Sequence, residues 1–163
     1  MPGYFRTRLV LALILASGSG IPASAACLSC ICSVSATGVR FGHFDPISAT
    51  PTSSTSRLRL SCWTTGSPGL VTYTVALSSG LSGSYSNRLM LGAGDQLAYN
   101  LYSDSAHTTV WGDGTGGSST VSGSMNATRQ RQRTDLTVYG QITPQQMIRA
   151  GNYSDTIVVT VAY

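Results

Sequence analysis

The chain is 163 residues long, a length that fits one domain. Its ten basic residues are all arginine and its six acidic residues all aspartate; two of the arginines, Arg6 and Arg8, lie in a leader-like stretch whose removal leaves eight against six, too small an excess for a nucleic-acid-binding protein. The absence of Lys and Glu, beside abundant Ser, Thr, Gly and Val, disfavours helices and favours β-structure.

At the N-terminus, Arg6 and Arg8 precede the short apolar run Leu9 to Ala16. Small residues follow, with Ala23-Ser24-Ala25 or Ser24-Ala25-Ala26 as an A-x-A-like cleavage site. Residues 1–26 are therefore expected to be a removed secretory signal peptide, since the apolar run is far shorter than the roughly 20 residues of a membrane span. Residues 27–163 are then a single exported, soluble domain. The cysteines at 27, 30, 32 and 62 enter an oxidising compartment, so they read as disulfides with three connectivities open.

Cys32 to Gly42 reads as a first strand, with Val34 and Ala36 alternating against serines, and Gly38 marks a bulge or break in it. Phe41 to Pro46 is an aromatic turn, and Ile47 to Ser56 reads as a Ser/Thr/Pro-rich loop. Arg57 to Cys62 alternates strictly and places Leu58, Leu60 and Cys62 inward. If the first two strands pack together, a Cys32–Cys62 bridge closes the loop between them. Leu70 to Leu77 is a strand with Val71, Tyr73, Val75 and Leu77 on one face. Residues 78–87 are a flexible loop, Arg88 to Leu91 a short strand, and Gln96 to Tyr102 the next. Val110 to Gly112 and Thr120 to Ser124 are short strands flanking the glycine-rich loop 112–117. Arg129, Arg131 and Arg133 share one face if that segment is extended, and offer an anionic contact. Leu136 to Ile142 is a strand, and Thr143-Pro144 opens a connection with one short helical turn. The C-terminal stretch, Gly151 to Tyr163, reads as a strand with Ile157, Val159, Val161 and Tyr163 toward a core. Seven to nine short strands with turn signals between them make an all-β sandwich.

Little in this chain carries catalytic chemistry. His43 sits in the aromatic turn and His107 in a polar loop, neither in a nucleophile or metal pattern, and G-x-S-x-G does not occur. Asp104 and Asp113 flank Trp111 without the converging oxygens of a calcium loop. The 112–117 loop lacks the lysine and following helix of a phosphate cradle. Cys27-Leu28-Ser29-Cys30 is a CxxC placed before a strand, whereas redox activity uses a helix N-terminus to activate the thiol. No enzymatic activity, cofactor, metal or small-molecule substrate is expected.

Several stretches, in this order, carry a resemblance: Cys32-Ser-Val-Ser-Ala36, Val39-Arg-Phe-Gly-His-Phe-Asp-Pro46, Arg59-Leu-Ser-Cys62, Leu97-Ala-Tyr-Asn-Leu-Tyr-Ser-Asp104, Val110-Trp-Gly-Asp-Gly114, Val138-Tyr-Gly-Gln-Ile142 and Gly151 to Tyr163. Together they resemble the spore coat protein U domain of archaic (Csu-type) chaperone–usher pilins from Gram-negative bacteria. The resemblance runs from Cys32 to Tyr163.

It implies an incomplete immunoglobulin-like β-sandwich that lacks one strand and keeps a groove for a donor strand. The implied lining is Ile157, Val159, Val161 and Tyr163 on one side, with Val34 and Ala36 on the other. The implied signature disulfide joins Cys32 and Cys62; Cys27 and Cys30 then pair with each other or rewire the bridging. The implied partners are a periplasmic pilus chaperone, the outer-membrane usher and other pilin subunits. The protein would pass through the periplasm into an extracellular fibre at the cell surface and support adhesion and biofilm formation. The segment before Cys32 looks short for a donor strand. An alternative is therefore a stand-alone or tip-located adhesin module that accepts a strand without donating one.

Overall fold

The computed structural model describes Cys27 and residues 29–163; the expected signal peptide, residues 1–26, lies outside the described residues. The strands are β1 (Cys30–Ala36), β2 (Thr52–Thr64), β3 (Gly69–Leu77), β4 (Arg88–Gly92), β5 (Asp95–Tyr102), β6 (Val121–Ala127), β7 (Gln132–Ile142) and β8 (Val159–Ala162). They form a five-stranded sheet in the order β1-β2-β7-β5-β4 and a three-stranded sheet in the order β6-β3-β8. Each strand pair is antiparallel.

Alternation of side chains builds the core between the sheets. On β2, Leu58, Leu60 and Cys62 point inward; on β3, Val71, Tyr73, Val75 and Leu77 face them from the other sheet. Leu97, Tyr99 and Leu101 from β5, with Val138 and Ile142 from β7, complete this layer. Gly140 belongs to the same inner row. A Cβ there would lie 2.8 Å from both the Phe41 ring and a Val39 methyl, so the missing side chain lets the segment after β1 cross over β7.

Among the described residues the topology is that of an immunoglobulin-like sandwich lacking one strand. In the constant-type arrangement, one sheet holds strands A, B, E and D and the other C, F and G. Here β1, β2, β7 and β5 take the A, B, E and D positions, while β3 and β8 take C and F. Among the described residues nothing pairs with the free edge of β8, where G would lie, and β1 is the facing edge of the other sheet.

Several elements differ from their sequence reading. The first strand ends at Ala36, before Gly38. The segment read as a Ser/Thr loop enters β2 at Thr52, because Thr52 to Ser56 pair along β7 from Ile142 to Val138. Backbone pairing to a long neighbour overrides the missing apolar signal. The 78–87 loop contains a 3-10 turn at Gly80–Ser82, and Val110 and Trp111 make only isolated bridges. No helical turn forms after Thr143; Gln145 takes a left-handed backbone instead. The C-terminal strand is far shorter than Gly151 to Tyr163. Only Val159–Ala162 is strand, with an isolated bridge at Ser154, because Asp155 directs its carboxylate at neighbouring backbone and breaks the ladder.

Cys32 and Cys62 sit opposite each other on β1 and β2 and are bonded across the inner face, with Cα atoms 4.2 Å apart. Cys27 and Cys30 are bonded as well. The Cys32–Cys62 bond closes a separation of 30 residues, so its loss should cost about 3–4 kcal/mol through unfolded-chain entropy. Urea unfolding of C32A/C62A should show a correspondingly lower midpoint; an unchanged midpoint would mean β1 is held by its backbone pairing alone.

Candidate functional site

The site is a groove between the edge of β1 and the edge of β8. It encloses about 370 Å³ and has an apolar floor that includes Leu58, Leu77, Leu101 and Val138. Ala36 borders it from β1, and Ile157 and Val159 from the C-terminal segment. A second cavity of about 650 Å³ adjoins it, sharing Val39, Phe41, Met90 and Tyr153 and running on toward Ile148.

Of the inner row of β1, Ala36 lines the groove, while Cys30 and Cys32 pack against the core. Val34, an inward residue opposite Leu60, keeps 38 % of its surface exposed. Val161 packs against the core beside Val159. Tyr163 lies beyond the last paired residue of β8 and is 59 % exposed, away from the groove lining. Of the residues implied by the resemblance, Ala36, Ile157 and Val159 thus meet at the groove, Val34 and Val161 flank it, and Tyr163 stands apart.

Polar hubs hold the walls in place. Asp155 accepts from the Tyr99 hydroxyl at 2.7 Å, from the Leu81 amide at 2.9 Å and from the Thr156 amide at 2.7 Å. One carboxylate therefore ties β5, the 3-10 turn and the segment before β8 together. Burial pushes the Tyr99 phenol far above its ordinary range, and the Asp155 hydrogen bond and charge push the same way. The 3-10 turn comes close enough that Gly80, at φ +70°, has no room for a Cβ beside the Asp155 carboxylate.

Arg88 is the second hub, fully buried. Its guanidinium donates to the Ser78 carbonyl at 2.8 Å, the Trp111 carbonyl at 2.7 Å and the Asn100 side-chain oxygen at 2.7 Å, and it lies 5.3 Å from the Tyr85 ring centre. Burial lowers its pKa. Ser78 in turn exchanges hydrogen bonds with Val158 through its backbone amide and its hydroxyl, both at 2.9 Å. Trp111 donates its indole N–H to the Val75 carbonyl at 3.0 Å. A buried arginine thereby links β4, the turn after β3 and the start of β8. Sequence reading missed this residue, because an arginine at a strand start reads as solvent-facing.

The remaining candidates lie elsewhere. Arg133 is on β7, Arg131 stacks on Trp63 with its guanidinium 3.8 Å from the ring centre, and Arg129 is in the turn before β7, so the three do not form a single strand row. His107, at φ +56°, packs edge-on against Tyr102 and Tyr139. His43 lines the second cavity.

A family profile described as the Spore Coat Protein U domain matches residues 21–160. No curated protein matches the chain. Among solved structures, the chain is similar to one from the CsuC–CsuE chaperone–tip adhesion subunit pre-assembly complex of the archaic chaperone–usher Csu pili of Acinetobacter baumannii, with a TM-score of 0.51 and 23 % sequence identity. The match covers 82 % of this chain and 40 % of that one, less than half of its length, and at that identity it is a likeness of fold.

The Tyr99–Asp155 contact has a pH signature. The unfolded phenol releases its proton near pH 10, whereas the folded one holds it well above. Between those values the native state binds the extra proton, so stability falls as pH rises above 10. Tyr99→Phe should flatten that alkaline slope and, by removing a hydrogen bond to a charged group, cost about 1–3 kcal/mol at neutral pH. Urea unfolding at a series of pH values measures both effects, and an alkaline slope identical to wild type would show that another group carries it.

Proposed function

The chain belongs to the Spore Coat Protein U domain family, and from that membership we propose that it is a non-enzymatic structural subunit of a chaperone–usher type surface fibre, assembled by donor-strand complementation. The observation that carries this reading is the open groove between β1 and β8, with Ala36, Ile157 and Val159 along it. A strand laid there would take backbone hydrogen bonds from a free sheet edge and side-chain contacts from the groove floor. Left uncovered, the same edge invites uncontrolled pairing with other chains. A periplasmic chaperone would cover the groove first, and an outer-membrane usher would hand it to the strand of another subunit. The protein would cross the periplasm of a Gram-negative bacterium and finish in a cell-surface fibre that supports adhesion and biofilm formation.

A second reading, a tip-located or stand-alone adhesin that accepts a strand without donating one, is favoured by the ground ahead of β1. Cys27 is bonded to Cys30, and the Cys27 amide donates to the Leu70 carbonyl at 3.2 Å. The Thr64 hydroxyl donates to the Ser29 carbonyl at 3.1 Å. Cys27 and Ser29 are therefore fastened to their own domain at the β2–β3 end.

Periplasmic expression with the cognate chaperone should yield SDS-resistant, heat-labile multimers if the domain both accepts and donates. A chaperone-bound monomer that takes up a foreign donor peptide is the outcome for an acceptor only. Ala36→Trp fills the groove from its rim and should abolish both products. A soluble monomer that is stable without chaperone and takes up no peptide would overturn the groove as an assembly site.

A further inference from the structure

The outer face of the five-stranded sheet points away from the groove and carries an unusual set of side chains. Along β2 the outward row runs Thr55, Arg57, Arg59, Ser61 and Trp63; along β7 it runs Tyr139, Thr137, Asp135 and Arg133, each opposite its β2 partner from Thr55 to Ser61. Arg131 closes the row by stacking on Trp63. Four arginines thus share these strand rows with one carboxylate, Asp135, and a second, Asp104, lies at the far end near Tyr102. Arg59 holds Asp135 through two hydrogen bonds of 2.7 and 2.9 Å, and Arg57 approaches it to 3.6 Å. The Arg59 guanidinium keeps the Asp135 carboxyl below its ordinary range, aided by the charges of Arg57 and Arg133. Those two contacts are the ion pairs among the described residues, so Arg131 and Arg133 have no carboxylate of their own there. Both are exposed.

Aromatic side chains stand at both ends. At one end the Arg131 guanidinium sits over the Trp63 ring, 3.8 Å from its centre, and makes no side-chain hydrogen bond among the described residues. At the other, Tyr102, His107 and Tyr139 form a cluster with ring centres 5.2 and 6.3 Å apart in sequence of contact. The loop that presents His107 is tied by Asp104. Asp104 accepts from the amides of Thr108 and Thr109, and these hydrogen bonds hold its carboxyl at about 2. From Thr55 to Trp63 the strand rises about 26 Å at ~3.3 Å per residue.

We propose that this face binds an acidic polysaccharide, a glycan chain bearing carboxylates laid along β2 and β7, with Arg131, backed by Trp63, and Arg133 as the carboxylate ligands and the Tyr102–Tyr139 end as the platform for a sugar ring. Guanidinium groups match carboxylates in a bidentate, planar geometry. An aromatic cluster at the end of a strand row suits the apolar face of a sugar ring. A duplex nucleic acid calls for a larger positive excess than four arginines leave over Asp135 and Asp104, because its binding is dominated by neutralised phosphates. A membrane calls for an apolar wedge, and the middle of this face is Arg57, Thr137 and Asp135. Strand uptake in the groove leaves the face uncovered, so this binding goes beyond the assembly role and does not depend on it.

The test uses the full exported chain, with its chaperone where that is needed for solubility, and polygalacturonate as the probe. Binding should weaken as salt is raised, be absent for neutral dextran, and be about tenfold weaker for R131Q/R133Q, from two exposed charged contacts. R131K/R133K keeps the charge and loses the planar fork, so it should bind more weakly than wild type. T137E places a carboxylate opposite Arg57, leaves Arg131 and Arg133 in place and should also weaken binding, which keeps the test available if R131Q/R133Q fails to fold. Ala36→Trp should bind as wild type whether or not it multimerises, separating this result from the fate of the groove. No binding of polygalacturonate, tighter binding of duplex DNA or phosphatidylglycerol vesicles, or binding indifferent to both R131Q/R133Q and T137E would overturn the proposal.

Discussion

The core of this domain must hold its shape with one side open. Two sheets normally close a sandwich by burying each other's inner rows, and each fully buried aliphatic side chain contributes about 1.5–3 kcal/mol. Here Val34 faces inward yet stays 38 % exposed, and Ile157 and Val159 are only partly covered. The apolar contacts that a further strand would bring are missing along one wall. Whatever keeps the groove from collapsing has to come from elsewhere in the fold.

It comes from covalent and polar fastenings placed around the groove's rim. The Cys32–Cys62 bond holds the edge strand β1 to β2. Asp155 fastens the segment before β8 to β5 and to the 3-10 turn. Arg88 fastens β4 to the turn at Ser78, and Ser78 fastens Val158. A buried arginine without a carboxylate partner is ordinarily costly. Arg88 is tolerated because its donors meet the Ser78 and Trp111 carbonyls and the Asn100 side chain, and because the Tyr85 ring lies against it. Such directional contacts fix distances between segments in a way that apolar packing alone does not. They also hold the β8 edge straight enough to be paired.

The strands were legible where alternation and burial coincide. Val71 to Leu77 and Leu97 to Leu101 each present an inner row that a period of two reveals, and both rows are core. The start of β2 was hidden because Thr52 to Ser56 bear no apolar alternation; the length of β7 makes them strand. The C-terminal run looked longer than it is because β-branched residues continue through Thr156 and Ile157, while the Asp155 carboxylate competes for local amides and stops the ladder. Of the groove, the apolar C-terminal row was visible in the pattern. Its far wall was supplied by likeness to a family, since nothing local in Val34 or Ala36 tells an edge from a centre. Arg88 and the Trp63–Arg131 stack were beyond reach, being made by residues 10 to 68 positions apart; the Arg88–Ser78 contact spans 10.

The two faces of the five-stranded sheet follow from one rule and point in opposite directions. A period of two gives the even positions of β2 to the core and the odd ones to the opposite face, so Leu58 and Leu60 line the sandwich while Arg57 and Arg59 stand outside. The inner row can change little without closing the groove or losing packing. The outer row is free of that constraint, yet it is not a random polar surface, because Arg57, Arg59 and Arg133 surround Asp135 and Arg131 stacks on Trp63, with Tyr102, His107 and Tyr139 at the other end. Since β2 is paired on both sides, by β1 and by β7, its backbone is already satisfied and its outer side chains are held at fixed spacing. The strand that anchors the edge of the groove through Cys62 is thus the same strand that spaces the arginines. Pairing at the β1 or β8 edge can proceed without moving them.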